Sequence, residues 1–128
     1  MRILLDTCTF LWITAEPKKL SEKARQTYSE AGNEVFLSSV SCWEIAVKYG
    51  LGRLPLPEPP GQFVPVRRQK LGILPLPLDE EAALHVSRLP KLHADPFDRM
   101  LVCQAIVHGL AVLSPDDLIA QYAVRMVW

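Results

Sequence analysis

Ile3-Leu4-Leu5-Asp6-Thr7, near the start of the chain, is a run of three large apolar residues that ends on a carboxylate and a hydroxyl. A short run that is apolar on both faces is typical of a buried strand in a parallel sheet. A carboxylate at the end of such a strand is costly unless something compensates its charge. The sequence shows no helix-capping role for Asp6, so we expect this residue to have a function.

Outward from this strand, the chain alternates strands with helices, which predicts an α/β fold with a mainly parallel central sheet. The predicted strands are 3–5, 35–37, 110–113 and, at an edge, 124–128; the predicted helices are 10–13, 22–31, 41–49, 79–89, 96–108 and 117–122. Ser21, Asp79 and Asp95 are expected N-caps, and Ser41 with Glu44 forms a predicted capping box. Residues 54–78 are rich in proline, which predicts a loop with at most short helical or extended pieces.

Length and composition indicate one domain, residues 1–128, with 49% hydrophobic and 22% charged residues. No apolar run approaches the roughly 20 residues of a membrane helix, and the N-terminus lacks the pattern of a secretory signal. We therefore expect a cytoplasmic protein without a membrane partner. The three widely spaced cysteines argue against a disulfide framework or a zinc ribbon.

Fourteen Lys and Arg residues balance fourteen Asp and Glu residues, so the protein as a whole does not attract nucleic acid. A basic excess is confined to one part of the chain. Residues 45–78 contain five basic residues against the single acid Glu58: Lys48, Arg53, Arg67, Arg68 and Lys70. These five are the candidate contacts for a phosphate backbone, and the alternative is an ordinary solvated segment.

The acidic residues lie where the predicted fold gathers ligands, at the carboxyl ends of the strands. Asp6 and Asp116 follow strands, Glu44 lies one helical turn after another, and Asp95 and Asp98 begin the helix before the 110–113 strand. Apart from Asp6, each of these acids has an alternative, purely structural interpretation as a helix cap or first-turn acid. Helix caps, however, have no reason to converge on one edge of the sheet. Crowded carboxylates favour a divalent cation, and oxygen ligands suit Mg²⁺ or Mn²⁺.

Four ordered motifs together resemble the PIN-domain ribonucleases, and more closely the VapC-type toxins of toxin–antitoxin pairs. The motifs are Leu5-Asp6-Thr7, Ser41-x-Trp43-Glu44-Ile45-Ala46-x-Lys48, His93-x-Asp95-Pro96-Phe97-Asp98-Arg99 and Ser114-x-Asp116. The resemblance covers nearly the whole chain and implies a PIN-like three-layer α/β/α fold.

By this resemblance, Asp6, Glu44, Asp98 and Asp116 form the catalytic acidic quartet. Asp6 and Asp98 are the expected metal ligands, with Glu44, Asp95 and Asp116 as further candidates, and Thr7, Ser114 and Arg99 support the site. The family's members are Mg²⁺-dependent endoribonucleases that cut structured RNA, often tRNA or rRNA. They usually form homodimers and are inhibited by a small antitoxin, here one of VapB type.

Individual side chains leave alternatives open. Lys48 either pairs with Glu44 within the helix or contacts phosphate, and Arg99 either pairs with a site carboxylate or faces solvent. His93 either holds the loop before Asp95 through a hydrogen bond, which we expect, or acts as a general base. A catalytically silent PIN-type module or a receiver-like Mg²⁺-binding module is the alternative function. A receiver would need an acid after the middle strand, where this chain has Ser38 and Ser39, and a lysine after a later strand, but no lysine follows Leu113. Both features argue against the receiver-like alternative.

Overall fold

The computed structural model describes all of residues 1–128 and contains five strands and six α-helices. In chain order they are β1 (Arg2–Leu5), α1 (Thr7–Ala15), α2 (Glu22–Ser29), β2 (Glu34–Ser38), α3 (Ser39–Gly50), α4 (Pro60–Lys70), β3 (Leu74–Leu76), α5 (Glu80–His85), α6 (Pro96–His108), β4 (Ala111–Leu113) and β5 (Met126–Val127). Three short 3₁₀ turns lie at Pro17–Lys19, Val86–Arg88 and Ile119–Gln121. None of the helices has the length and hydropathy needed to cross a bilayer.

The five strands form one parallel sheet in the order β3-β2-β1-β4-β5. The first strand is central, and its residues Ile3, Leu4 and Leu5 have no solvent exposure. The chain builds the sheet outward from β1, first to one side and then to the other. The carboxyl ends of β1 and β4 therefore lie side by side at the switch point, where open α/β sheets bind ligands.

Helices cover both faces of the sheet, so the predicted three-layer α/β/α architecture is confirmed. Ile3 and Leu5 pack with Phe10, Ile45 and other side chains of α1 to α4 in one core cluster. Leu4, on the opposite face, packs mainly against α6 in the second cluster. A short central strand with apolar side chains on both faces thus joins the two cores.

The prediction for α6 is confirmed at both ends. The Asp95 side chain caps the helix by accepting hydrogen bonds from the backbone N–H groups of Phe97 (2.8 Å) and Asp98 (3.2 Å). Pro96 occupies the first turn, where a missing N–H has no consequence. Gly109 ends the helix with φ 66°, a left-handed conformation that glycine adopts without strain.

The capping box predicted at Ser41 and Glu44 is wrong. Helix α3 begins earlier, at Ser39, and its N-cap is Ser38, whose Oγ accepts a 3.0 Å hydrogen bond from the Val40 N–H. Ser41 and Glu44 lie inside the helix and are buried. Neither side chain caps the helix, and both instead contact the Thr7 hydroxyl.

The proline-rich segment is more regular than predicted, because it contains the 11-residue helix α4 and the strand β3. Pro59 and Pro60 stand at the start of α4, where proline is tolerated, and only Pro65 interrupts the helical hydrogen bonds. Burial of Phe63 and Val64 in the first core cluster favours the helix despite Pro65. The third strand accommodates Pro75 because it lies at the edge of the sheet.

Candidate metal-binding active site

Asp6 has two roles, since it caps α1 and contributes a buried carboxylate to the carboxyl edge of the sheet. Its Oδ1 accepts a 2.8 Å hydrogen bond from the Thr9 N–H, and its Oδ2 accepts a 2.6 Å hydrogen bond from the Ser114 hydroxyl. The expectation that Asp6 has no capping role is therefore wrong, because α1 begins at Thr7, three residues before the predicted start. Burial raises the pKa of Asp6 despite these hydrogen bonds, and the charge of Asp116 raises it further.

Glu44 is held from two sides. The Thr7 hydroxyl donates a 2.6 Å hydrogen bond to Glu44 Oε1 and lies 2.9 Å from the Ser41 hydroxyl. The Lys48 ammonium forms an ion pair with Glu44 Oε2. Glu44 as a whole is only 4% exposed, so the lysine places a positive charge next to a buried acid. Of the two predicted roles for Lys48, the intrahelical ion pair is the one observed.

Asp98 lies in the first turn of α6 and contacts the ring of His93, whose Nε2 is 3.0 Å from Asp98 Oδ2. The other ring nitrogen, Nδ1, accepts a 3.4 Å hydrogen bond from the Asp95 N–H. These two partners are consistent with a proton on Nε2, which donates to the carboxylate. Burial and then the charges of nearby Asp95, Glu44 and Asp6 raise the pKa of Asp98 to about 6, although the His93 hydrogen bond opposes the rise.

Asp116 reaches the same edge from the segment after β4. Its N–H donates a 3.0 Å hydrogen bond to Ser114 Oγ, and its Oδ1 accepts a 2.9 Å hydrogen bond from the Leu118 N–H. Ser114 therefore links Asp6 to the start of the Asp116 turn. Possible ligand atoms of His93, Asp98 and Asp116 lie within 4.8 Å of one another. Acidic residues from distant parts of the chain thus converge as the sequence predicts.

The donor set fits a hard divalent cation. Among the acids of this edge, Glu44 has a lysine partner, whereas Asp6, Asp98 and Asp116 form no ion pair with lysine or arginine. Burial is the main cause of the raised pKa values of Asp6 and Asp98, and the charges of neighbouring acids raise both further. Carboxylate oxygens without thiolate ligands suit Mg²⁺ or Mn²⁺. The Cys8 thiol beside these acids has its pKa raised to about 11 by burial and by their charges, which keeps it protonated.

The candidate RNA contacts are distributed over α3, α4 and the segment between them. Arg67 pairs with Glu58 at 2.5 Å and lies over the ring of Phe63, with its guanidinium carbon 4.5 Å from the ring centroid. Arg68 donates to the Ile73 carbonyl at 3.2 Å. Arg53 and Lys70 are exposed. Together with Lys48, which pairs with Glu44, three of the five basic side chains therefore have protein partners.

Two features of the site were missed by sequence reasoning. Ser41 touches Thr7, and Tyr122, far along the chain, hydrogen-bonds to the loop that carries His93 and to Arg99. Arg99 takes neither predicted role, since it donates to the Pro90 carbonyl (2.9 Å) and to the Tyr122 oxygen (3.2 Å). The contacts of Tyr122 are mostly with backbone groups of a distant loop, which leave no motif in the sequence.

Two curated proteins are similar to this chain in sequence. Ribonuclease VapC22 of Mycobacterium tuberculosis is 29% identical over 117 residues, which cover 89% of this chain and 86% of that protein. Ribonuclease VapC16 of the same organism is 40% identical over 63 residues, 49% of this chain, and the matched stretch spans only 45% of that relative.

A crystal structure of VapBC2 from Rickettsia felis, bound to a DNA fragment from their promoter, contains a chain with the same fold. It superimposes with a TM-score of 0.74 and 11% identity, covering 98% of this chain and 97% of that one. The resemblance to VapC-type PIN domains inferred from the sequence motifs is confirmed. The family model of the PIN domain matches residues 3–125, and the chain therefore belongs to the PIN-domain family.

Proposed function

We propose that this chain is a Mg²⁺-dependent endoribonuclease that hydrolyses RNA phosphodiester bonds and acts as the toxin of a toxin–antitoxin pair. The observation that carries the proposal is the convergence of acids from distant segments. Possible ligand atoms of His93, Asp98 and Asp116 lie within 4.8 Å of one another. Ser114 connects Asp6 to the turn that carries Asp116. Both curated relatives bear the name ribonuclease, which supports the nuclease activity.

In this proposal Asp6 and Asp98 hold the metal, Mg²⁺ or alternatively Mn²⁺, and Asp116, Asp95 and Glu44 are further candidate ligands. Such a cation lowers the pKa of water and stabilises negative charge on a phosphodiester. Ser114 and Thr9 orient Asp6, while Thr7 and Lys48 hold the Glu44 carboxylate in place. The chain thus presents a preorganised set of carboxylates at one edge of the sheet.

The substrate in this proposal is RNA, with tRNA and rRNA as the structured candidates. Overall neutrality means that affinity must come from local positive charge. Lys48 lies at the rim of the site, and Arg53, Arg67, Arg68 and Lys70 are the remaining candidates. The pairing of Arg67 with Glu58 reduces its availability in the free protein, so we rank the exposed Arg53 and Lys70 at least as high.

The proposed protein partners are a VapB-type antitoxin and a second copy of this chain. The structural match to a chain of VapBC2 supports the antitoxin. An apolar stripe along α3 and its C-cap supports the homodimer: Trp43 and the C-cap Leu51 are both 61% exposed and Val47 is 37% exposed, at intervals of four residues. A monomeric mass at micromolar concentration would contradict the dimer. We place the active protein in the cytoplasm and assign residues 1–128 to a single functional domain.

Cleavage of total cellular RNA, with Mg²⁺ or with EDTA, tests the activity. Asp116→Asn and Asp117→Asn form a matched pair, because the two acids are neighbours and Asp117 is exposed. We expect Mg²⁺-dependent cleavage by the wild-type and Asp117→Asn proteins and its loss in Asp116→Asn and in EDTA. Mg²⁺ binding without any cleavage would instead support the catalytically silent or receiver-like alternative, and equal activity of the two variants would contradict the proposed site.

A further inference from the structure

The loop formed by residues 90–95 carries His93 to the site, and a side chain from elsewhere fixes its backbone. The His93 N–H donates a 2.9 Å hydrogen bond to the phenol oxygen of Tyr122. The Leu92 N–H is shared between the Pro90 carbonyl, at 3.0 Å, and the same phenol oxygen, at 3.1 Å. The loop has no regular secondary structure, so these contacts replace the hydrogen bonds that a helix or strand would supply.

Tyr122 is itself firmly placed. It is 6% exposed and packs in the second core cluster, directly after the Ile119–Gln121 turn. Arg99 extends the connection, because one guanidinium nitrogen donates to both the Tyr122 oxygen and the Pro90 carbonyl. The phenol oxygen therefore joins the loop to α6 at the point where both approach the acidic cluster.

The imidazole of His93 continues the connection into the site. Its Nδ1 faces the Asp95 N–H and its Nε2 faces Asp98 Oδ2. Asp98 Oδ1 makes no hydrogen bond to protein, so the His93 contact occupies one oxygen and leaves the other available. Asp98 and Asp116 offer ligand atoms within 4.8 Å of each other. His93 thus holds one oxygen of a carboxylate that lies beside Asp116.

We propose that Tyr122 is a positioning residue of the active site, which holds His93 through the loop backbone and thereby sets the orientation of the Asp98 carboxylate. This inference rests on the metal site of the proposed function. Outer partners of this kind, which orient a ligand through a hydrogen bond, typically change metal affinity or activity by 10–100-fold when removed.

Tyr122→Phe tests the proposal by removing one oxygen, and Tyr28→Phe is the matched control because its ring packs against the opposite core cluster. The first measurement needs neither metal nor RNA: ¹⁵N NMR of the histidine rings at pH 8 reports the tautomer of His93. We expect the Nε2-protonated tautomer in the wild-type and Tyr28→Phe proteins and a mixture of tautomers in Tyr122→Phe. An unchanged His93 signal in folded Tyr122→Phe protein would overturn the proposal.

The second measurement is Mn²⁺ affinity by titration without RNA. Tyr122→Phe should weaken binding about tenfold, and Tyr28→Phe should leave it unchanged. If the wild-type protein binds Mn²⁺ without cutting RNA, the proposed activity fails while the comparison of affinities still decides the role of Tyr122. If the wild-type protein binds no Mn²⁺, the metal site fails, and the His93 tautomer alone decides.

Arg99→Met provides a second variant in case Tyr122→Phe does not fold, since it removes a donor to the phenol oxygen and keeps most of the aliphatic bulk. It leaves the bonds from Leu92 and His93 in place, so we expect a smaller loss of Mn²⁺ affinity than in Tyr122→Phe. Wild-type Mn²⁺ affinity and an unchanged His93 tautomer in Arg99→Met would contradict the inferred connection through Tyr122.

Discussion

The hydroxyl of Ser114 donates a 2.6 Å hydrogen bond to the carboxylate of Asp6 across 108 positions of the chain. The same oxygen accepts the N–H of Asp116. One buried hydroxyl thus joins the ends of the adjacent strands β1 and β4 and aligns two of the four predicted catalytic acids. Its importance can be tested directly.

Ser114→Ala should lower RNA cleavage by 10–100-fold, because Asp6 loses an orienting donor. It should also lower the free energy of unfolding by about 1–3 kcal/mol, since the buried carboxylate and the Asp116 N–H lose a partner. Ser87→Ala is the control, as this hydroxyl is exposed and contacts only a nearby carbonyl. Cleavage assays and urea unfolding check both effects, and a fully active Ser114→Ala protein would contradict the alignment role.

Asp6→Asn should abolish RNA cleavage and leave the fold intact. The amide oxygen can still accept the Thr9 N–H, so the cap of α1 survives, while the charge that a cation needs is removed. Glu44→Gln should also abolish cleavage but leaves Lys48 without its carboxylate partner. Circular dichroism verifies folding in both variants. Undiminished cleavage by folded Asp6→Asn protein would refute the metal site.

The pH dependence of stability follows from Asp98, whose pKa is raised from 3.8 to about 6. Between these values the folded protein binds more protons than the unfolded chain, so the free energy of unfolding falls as pH rises through this window. Asp98→Asn should flatten this part of the curve in metal-free protein. Mg²⁺ favours the ionised carboxylate, so its stabilising effect should be larger at pH 8 than at pH 5 in thermal unfolding.

The opposite dependence, with stability rising from pH 4 to pH 6 and unaffected by Asp98→Asn, would show that Asp98 is not the buried, charge-crowded group described here. The His108–Asp79 pair adds a separate contribution, because His108 lowers the pKa of Asp79. That pair favours folding above the usual aspartate pKa and persists in Asp98→Asn. The difference between the wild-type and Asp98→Asn curves therefore isolates Asp98.

Lys48→Met should reduce cleavage because it removes the ion-pair partner that holds the buried Glu44 carboxylate in place. We expect about 1–3 kcal/mol of destabilisation, as for a buried polar group that loses its partner. A Glu44→Gln background distinguishes the two roles of Lys48. If the lysine acts only through Glu44, Lys48→Met has no further effect on RNA affinity there; a further loss reveals a phosphate contact. Lys23→Met is the exposed control.

Replacement of Arg67 and Arg68 by alanine tests the predicted phosphate contacts. In an Asp6→Asn background, which prevents cutting, RNA affinity should weaken and the salt dependence should lose about one to two contacts, each contributing a slope of roughly 0.7. The cut position in the active protein should stay unchanged, since phosphate contacts do not read bases. Identical salt slopes would exclude this pair and leave Lys48, Arg53 and Lys70.

The parts of the fold that local rules determine were predictable. Helix α6 is bounded by Asp95 and Gly109, whose preferences for helix ends are strong in any context. Helix α4 was not predictable from the sequence, because its prolines disfavour a helix locally. The helix forms because it buries Phe63 and Val64 in the first core cluster. Tertiary packing here overrides local preference, which no pattern within the segment reveals.

The site shows the same division. The convergence of carboxylates followed from strand order, since residues after parallel strands meet at one edge. The partners of those carboxylates did not follow. The spacing of Ser41 and Glu44 matches a capping box, yet both side chains meet Thr7, 34 and 37 positions away. Side-chain contacts between distant segments depend on the packed structure and are not encoded in local spacing.

Asp6 both caps α1 and contributes a carboxylate to the candidate site, and this has a consequence for homologous domains that have diverged. Three of the acids accept hydrogen bonds from backbone N–H groups: Asp6, Asp95 and Asp116. A homologue without catalytic activity would still need a hydrogen-bond acceptor at these three positions for its fold. Glu44 and Asp98 accept only side-chain donors and cap nothing. In homologues that have lost catalytic activity, substitutions should therefore appear first at Glu44 and Asp98. The presence of both acids is consequently a better indicator of an active enzyme than the presence of the other three.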